Sequence, residues 1–255
     1  MIRYPFVVAA SMAIALLAAF QVHGKAPDAI AVAVADTARP VVDRQRDANR
    51  KPVETLQFTG VKPGDQVAEL IPGGGYYTRI FSKVVGPTGH VYAVTPAAAP
   101  DAPADSPDFA ARAKAIAADP NYSNVSVVVE PFATLKVPVP VDLVWTSQNY
   151  HDLHNMPGLD VTVFNQMVFA ALKPGGIYLI LDHEADQGSG ARDTATLHRI
   201  DAEIVEEEVL AAGFVLVASS DLLRQPGDSH KVKVFDPSIR GRTDQFILKF
   251  RKPSK

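Results

Sequence analysis

Apolar residues recur along the chain with two different periods, and these periods predict its elements. Short runs rich in valine, isoleucine and aromatic residues predict buried strands. These runs cover residues 66–71, 90–95, 124–130, 141–147, 177–184, 214–219 and 245–250. Between them, apolar residues repeat every three or four positions and predict helices. The predicted helices cover residues 52–58, 77–85, 109–118, 159–172 and 197–213.

The order of these elements predicts an α/β fold. Strands that alternate with helices of ten or more residues form a mostly parallel sheet with helices on both faces. The last two strands have no helix between them, which predicts an antiparallel pair at one edge. We expect one domain over residues 52–255, preceded by a charged, partly helical extension over residues 25–51.

The N-terminus predicts a secretory signal. Arg3 precedes an apolar stretch over residues 5–20, and small residues follow it. This layout is typical of a signal peptide, which we place at residues 1–24. The apolar stretch is short for a membrane span, although an uncleaved anchor is an alternative. The sequence therefore predicts a periplasmic or secreted protein, which meets a membrane only through this segment.

Composition excludes several classes of function. The net charge of −3, without a basic run or a basic-aromatic stripe, gives no indication of a nucleic-acid partner. The chain has no cysteine. Disulfides, thiolate metal ligands, a cysteine nucleophile and a lipid-modified cysteine anchor are therefore excluded.

The stretch "AELIPGGGYYT", residues 68–78, runs from a predicted strand through three glycines into a predicted helix. Glycines at such a turn let the backbone approach a ligand closely. The spacing is neither that of a Gly-x-Gly-x-x-Gly dinucleotide turn nor that of a phosphate-binding loop. These two ligand classes are therefore disfavoured.

The stretches "AELIPGGGYYTRIFS", "QNYHDLHN", "DHEADQGSG" and "TLHRID" together carry a resemblance to a known family. Over about residues 52–251 the chain resembles the class I S-adenosylmethionine-dependent methyltransferases, and more narrowly an exported, predicted group of unassigned substrate. The resemblance implies a Rossmann-like, seven-stranded, mostly parallel sheet with an antiparallel last strand and helices on both faces. It also implies binding of S-adenosylmethionine and methylation of a small molecule.

The resemblance also implies which residues bind the cofactor. They are Glu69, Gly73, Gly74, Gly75, Tyr76, Thr95, Glu130, Phe132 and Asn149. Two positions depart from the family pattern. Ile71 stands where the first glycine of the turn belongs, and Thr95 stands where an acidic residue accepts hydrogen bonds from the ribose. Loss of such a charge-assisted hydrogen bond costs roughly 1.5–3 kcal/mol, and Asp101 or Asp105 could substitute for the acid.

Polar residues crowd the ends of the fourth and fifth predicted strands, where ligands bind in open parallel sheets. Three interpretations remain open. His151, with Asp152 or Asp182, could be the base of a methyl transfer, with His183 as second choice. His151, His154 and His183 with an aspartate could hold a metal. The polar residues could instead only tie the loops together. We expect His198 to be a structural residue near the start of the last helix.

The rival to a methyltransferase is a non-methylating binding protein, or a metal-assisted enzyme, on the same fold. Export would place the chain where S-adenosylmethionine has no evident supply, and the two departures weaken the cofactor pattern. Arg240 and Arg242, in the connection before the last strand, could contact a substrate carboxylate or phosphate, or anchor their loop.

Overall fold

A seven-stranded sheet forms the centre of the protein. The computed structural model describes residues 1, 28–98, 103 and 106–254, so almost all of the predicted signal segment, with Asp101 and Asp105, lies outside the described residues. The strands are β1 Gln66–Leu70, β2 His90–Pro96, β3 Val125–Glu130, β4 Val141–Ser147, β5 Leu172–His183, β6 Val215–Ser220 and β7 Gln245–Arg251. Their order across the sheet is β3-β2-β1-β4-β5-β7-β6.

The strand directions confirm the predicted fold class. β3, β2, β1, β4 and β5 are parallel to one another, whereas β7 is antiparallel to both β5 and β6. The helices are α1 Ala29–Val34, α2 Val41–Arg44, α3 Asp47–Arg50, α4 Pro52–Thr59, α5 Tyr76–Val85, α6 Ala111–Ala117, α7 Tyr150–Leu153, α8 Val161–Ala171 and α9 Ala202–Ala211. Within the described ranges, no helix has both the length and the apolar character needed to cross a membrane.

Helices cover both faces of the sheet, and successive side chains along each strand pack into opposite apolar clusters. On β4, Leu143 and Trp145 belong to the apolar cluster beneath α1, α4, α5 and α6. Their neighbour Val144 belongs to the opposite cluster, beneath α8 and α9. All three side chains are buried. Burial on both faces explains why β4 reads as a nearly continuous apolar run in the sequence.

The N-terminal extension consists of short helices that lie over the start of α5. Arg39 pairs with Asp47 at 2.8 Å, and Arg79 of α5 pairs with Asp43 at 3.1 Å. The Arg39 side chain is fully buried, and two atoms of its guanidinium contact the Asp47 carboxylate. These ion pairs fix α2 and α3 at the carboxyl end of the sheet, where a ligand would bind.

The last helix starts later than its apolar spacing predicts. Asp201 caps α9 by accepting a hydrogen bond from the backbone N–H of Glu203. The preceding residue, Ile200, pairs with Glu184 as an isolated parallel bridge. The prediction of a helix from Leu197 is therefore wrong, since residues 197–201 are irregular and make one bridge just beyond the end of β5. His198 lies in an irregular loop and has a left-handed backbone φ of 56°.

Candidate functional site

The chain reverses its direction of progress across the sheet between β1 and β4. It leaves β1 toward β2 and β3, then returns to the other side of β1 at β4. Crevices at the carboxyl ends of two such strands are the usual ligand sites of open α/β sheets. Here a cavity of about 250 Å³ opens between the turn after β1 and the residues after β4. Of the predicted cofactor residues, it is lined by Glu69, Gly73, Gly74, Tyr76 and Asn149.

The glycine turn holds several residues in the left-handed backbone region. Gly73 and Gly75 have φ values of 56° and 75°, and Ile71, a β-branched residue, has 50°. Asn149 supports this turn, because its Nδ2 donates to the carbonyls of Leu70 and Ile71 at 3.2 and 3.1 Å. Gly75 does not line the cavity but begins α5, and a Cβ there would lie 2.0 Å from a methyl carbon of Ile116. The contact with Ile116 therefore leaves no room for a side chain at Gly75.

Glu69 is a buried acid beneath the turn. The side chain is at the end of β1, is 3% exposed and accepts a hydrogen bond from Thr78. Burial raises the pKa of its carboxyl to about 8, against the Thr78 hydrogen bond and the charges of Arg50 and Arg79. Glu69 is therefore mainly protonated at neutral pH in the ligand-free protein.

Aromatic rings form the floor of this cavity. Tyr77 packs on Trp145 with ring centroids 4.6 Å apart, and both rings line the cavity. The Tyr76 hydroxyl donates to Asp47 at 2.6 Å. The guanidinium of Arg50 lies 4.6 Å from the Tyr76 ring centroid, and those of two further arginines lie within 5.4 Å. The N-terminal extension therefore covers the cavity with positive charge.

Besides Gly75, three predicted cofactor residues line neither this cavity nor the larger one beside it. Thr95 is buried at the end of β2 and donates to the carbonyl of Val128 at 3.5 Å. Glu130 ends β3, and Phe132 is buried, stacked on Phe164 at 5.4 Å. Their expected roles beside the ribose and adenine stay predictions.

A larger cavity, of about 530 Å³, adjoins the first one. It lies between α2–α3 and the residues that precede β7. The two cavities share Arg46, Arg50 and Gln148, and an Arg50 Nη atom donates to the Gln148 side chain. His183 lines the larger cavity, and Asp152 lines the smaller one. The protein thus has two adjoining compartments at the switch point of the sheet.

His151 is held by a buried carboxylate. Asp182, which is fully buried, lies 2.9 Å from His151 Nδ1 and also accepts the backbone N–H of His151 at 2.8 Å. Burial opposes the charged imidazolium, but the charge and hydrogen bond of Asp182, aided by Asp152, raise the pKa of His151. Because a carboxylate only accepts hydrogen bonds, Nδ1 carries the proton and Nε2 is the basic nitrogen of the neutral ring.

The basic nitrogen of His151 faces a histidine that we expected to be only structural. His151 Nε2 lies 3.3 Å from His198 Nδ1 and 3.4 Å from Asp152 Oδ1. The His198 side chain is 24% exposed, and its ring lies 4.8 Å from that of Phe235, at the wall of the larger cavity. Burial and the neighbouring charge of His151 lower the pKa of His198. Asp182, His151 and His198 therefore form a continuous chain from the core to Phe235, although neither histidine itself lines a cavity.

The predicted metal set does not assemble. His154 faces Glu208 at 3.3 Å, whereas His183 Nδ1 is 2.8 Å from the Thr243 hydroxyl. Burial lowers the pKa of His183 to about 3, which leaves this ring neutral. Within the described ranges, the one metal-compatible group is His151, Asp152 and His198, whose ligand atoms lie within 4.8 Å of one another.

Sequence comparison gives short matches to methyltransferases. No family model matches the chain. The ubiquinone/menaquinone biosynthesis C-methyltransferase UbiE of Ectopseudomonas mendocina is 46% identical over 37 residues, which are 14% of this chain and 14% of that protein. A protein-L-isoaspartate O-methyltransferase of Ignicoccus hospitalis is 31% identical over 74 residues, 29% of this chain and 31% of that protein. The matches thus span less than a third of either relative.

Structural comparison extends over most of the chain. A SAM dependent methyltransferase from Aquifex aeolicus has a TM-score of 0.57 at 20% identity, covering 81% of this chain and 92% of that chain. The [4+2]-cyclase SpnF has a TM-score of 0.58 at 20% identity, covering 84% and 81%. Likeness at this level of identity establishes the fold and leaves the reaction to the site. The chain has the fold of the class I S-adenosylmethionine-dependent methyltransferases.

Proposed function

We propose that the protein transfers a methyl group from S-adenosylmethionine to a small molecule. The observation that carries this proposal is the pair of adjoining cavities at the switch point, which share Arg46, Arg50 and Gln148. The smaller cavity would take the amino-acid end of the cofactor, beside the glycine turn. The adenosine end would extend along β2 toward Thr95 and Glu130, and the larger cavity would take the methyl acceptor.

The chain Asp182–His151–His198 would supply the base. As the acceptor oxygen or nitrogen attacks in line, the sulfur–methyl bond breaks and the acceptor–methyl bond forms. The acceptor proton would pass to His198, whose Nδ1 lies 3.3 Å from His151 Nε2, and S-adenosylhomocysteine would leave. Asp182 positions the ring of His151 and stabilises the positive charge of the histidine pair, as expected of a buried carboxylate behind a histidine. His183 would contact the acceptor as a neutral group, because a pKa of about 3 makes it a weak base.

Calorimetric titration with S-adenosylmethionine and S-adenosylhomocysteine tests the cofactor assignment. The chain has a single tryptophan, and Trp145 lines the smaller cavity, so its fluorescence gives a second readout of the same site. We expect saturable micromolar binding that Gly73→Val weakens at least tenfold. Gly158→Val is the matched control, since Gly158 is also left-handed, with φ 72°, but lies outside both cavities. No binding at millimolar ligand would refute the assignment.

A metal-assisted reaction is the second candidate. It is supported by the convergence of His151 Nε2, Asp152 Oδ1 and His198 Nδ1, two imidazoles and a carboxylate that suit zinc, iron or manganese. SpnF, named as a cyclase, shows that this fold also occurs in proteins named for other reactions. Metal analysis of protein purified without a histidine tag decides between the candidates. A stoichiometric metal that His198→Ala removes would favour this one, whereas metal-free active protein would exclude it.

We further propose that residues 1–24 direct export, with cleavage or with retention as an anchor. The support is the sequence pattern of Arg3, an apolar stretch and small residues. Osmotic-shock fractionation of a bacterial host, followed by N-terminal sequencing, tests this proposal. Shock-released protein that lacks the segment would indicate cleavage, and membrane-bound intact protein would indicate an anchor. Intact protein in the cytoplasm would refute export.

A further inference from the structure

The larger cavity has an unusual charge composition. Its lining includes three guanidinium groups, those of Arg46, Arg50 and Arg240, and no carboxylate. The other ionisable side chain in its wall is His183, which burial keeps neutral. Nothing in the lining therefore offsets the three positive charges.

The carboxylates nearest to Arg46 and Arg50 along the chain are already engaged. Asp43 pairs with Arg79 at 3.1 Å, and Asp47 pairs with Arg39 at 2.8 Å and accepts from Tyr76. Within the part of the chain that the structure describes, none of the three cavity arginines has a carboxylate within 4.0 Å. Arg50 is half-buried, and Arg46 and Arg240 are exposed, whereas the fully buried Arg199 is paired with Asp228 at 2.8 Å.

Two of the three guanidiniums are held in place by neutral groups. Arg50 donates to the Gln148 side chain and lies over the Tyr76 and Tyr77 rings at 4.6 and 5.5 Å. Arg46 lies 5.4 Å from the Tyr76 ring. Burial and the charge of Arg50 lower the pKa of Arg46, and the opposite charge of Asp43 offsets only part of this effect. An anion in the cavity would relieve this repulsion.

We propose that the larger cavity binds a methyl acceptor that carries a carboxylate or a phosphate group attached to an apolar body. Guanidinium presents a planar set of donors that matches both anions and can bind either in a bidentate manner. Val234 and Phe235 form an apolar part of the same wall, and a volume of about 530 Å³ suits a small molecule. This inference rests on the proposed methyltransferase function, since it assigns the cavity to the acceptor.

The alternative ligand of Arg46 and Arg50 is the carboxylate of the cofactor itself, because both arginines also line the smaller cavity. Arg240 separates the two cases. It lines only the larger cavity and is exposed on the loop before β7. A role confined to the cofactor would leave Arg240 without effect on any ligand.

Binding of three matched probes to the purified protein tests the inference. Phenyl phosphate, benzoate and the neutral benzamide are titrated by calorimetry with and without saturating S-adenosylhomocysteine. The salt concentration is kept at about 50 mM, because charge pairs are screened less at low ionic strength. We expect at least one anion to bind tenfold or more tightly than benzamide. The stronger of the two anions identifies the group as phosphate or carboxylate.

Single substitutions then locate the site. Arg46→Gln, Arg50→Gln and Arg240→Gln should each weaken the anion at least fivefold, with melting temperatures measured to verify folding. Arg44→Gln is the matched control, because Arg44 is exposed on α2 and lines neither cavity. Equal binding of benzoate, phenyl phosphate and benzamide, or anion binding that Arg240→Gln leaves unchanged, would overturn the inference.

The same titrations separate this inference from the proposed function. Anion binding that depends on Arg240, without any binding of S-adenosylhomocysteine, would support the anion site and refute the methyltransferase assignment. Binding of S-adenosylhomocysteine without preference for the anions would refute the anionic acceptor and leave the cofactor assignment standing.

Discussion

Replacement of Glu69 by glutamine should change how the stability of the protein depends on pH. Glutamine keeps the shape of the protonated acid and can still accept the hydrogen bond of Thr78. It removes only the ability to ionise. Because Glu69 is 3% exposed, the difference between the two proteins reports the cost of a buried carboxylate charge beneath the glycine turn.

The expected magnitude follows from the two pKa values of Glu69. Its pKa is about 8 in the folded protein, against the usual 4.5 that applies when the chain unfolds. Since the folded value is higher, the stabilisation is complete below pH 4.5 and is lost as the pH rises through 8. By linkage, the cost of ionisation relative to an uncharged side chain is about 1 kcal/mol at pH 5 and about 4 kcal/mol at pH 8.

Urea unfolding of the two proteins at pH 5, 6.5 and 8 measures this difference. We expect the free energy of unfolding of Glu69→Gln, relative to the parent, to increase by about 3 kcal/mol between pH 5 and pH 8. The corresponding difference in melting temperature is about 6–12 °C. Glu207→Gln, at an exposed position of α9, should leave the pH dependence unchanged. Parallel curves for Glu69→Gln and the parent would refute the assignment of a buried, protonated acid.

Three further substitutions address the turn, the base and the packing. Asn149→Ala removes two hydrogen bonds to the turn and should weaken S-adenosylhomocysteine about thirtyfold in calorimetry, at roughly 1 kcal/mol per bond. Unchanged affinity would contradict the support that we assign to Asn149. Asp182→Asn should lower the rate of methyl transfer about a hundredfold or more and leave cofactor affinity unchanged, because the ring of His151 loses its carboxylate; parallel losses of rate and affinity would indicate a structural role. Gly75→Ala should lower the free energy of unfolding by about 2–3 kcal/mol, from left-handed strain and the contact with Ile116. Gly158→Ala, which is strained but meets no atom within 4 Å, should cost about 1 kcal/mol, and equal losses in the two variants would exclude the packing contribution.

The sheet could be predicted from the sequence because each strand carries a local signal. Val141–Ser147 is apolar and β-branched, and its predicted and observed bounds coincide. The start of the last helix could not be predicted in this way. Ile200 has the spacing of a helical residue, but it forms an isolated bridge with Glu184, just beyond β5, and a local sequence pattern does not reveal such a contact.

The candidate site was predicted in part for the same reason. His151 follows β4 and Asp182 lies at the end of β5, and a parallel sheet brings these two strand ends together, so the topology alone places the two residues near one another. The sequence predicts only a structural role for His198, because its contact with His151 spans 47 residues and leaves no local signal. In the sequence, the arginines of the N-terminal extension are recognisable only as part of a charged segment. What distinguishes these arginines is that the neighbouring acids, Asp43 and Asp47, pair with other arginines. Only the fold shows this pairing.

Ile71 departs from the family pattern in sequence, yet its backbone adopts the left-handed region that glycine reaches most easily. Glycine occurs at the first position of the family turn, where a left-handed backbone is easiest without a Cβ. Ile71 adopts that region, with φ 50°, and its N–H donates to Val94 at 2.8 Å while its carbonyl accepts from Asn149. A β-branched residue in this region costs roughly 1–2 kcal/mol, so the surrounding contacts must hold it there. Because the strained turn persists and lines a cavity, Ile71 is weaker evidence against a ligand at this turn than its sequence suggests, and the neutral Thr95 is the stronger argument for a weakened cofactor site.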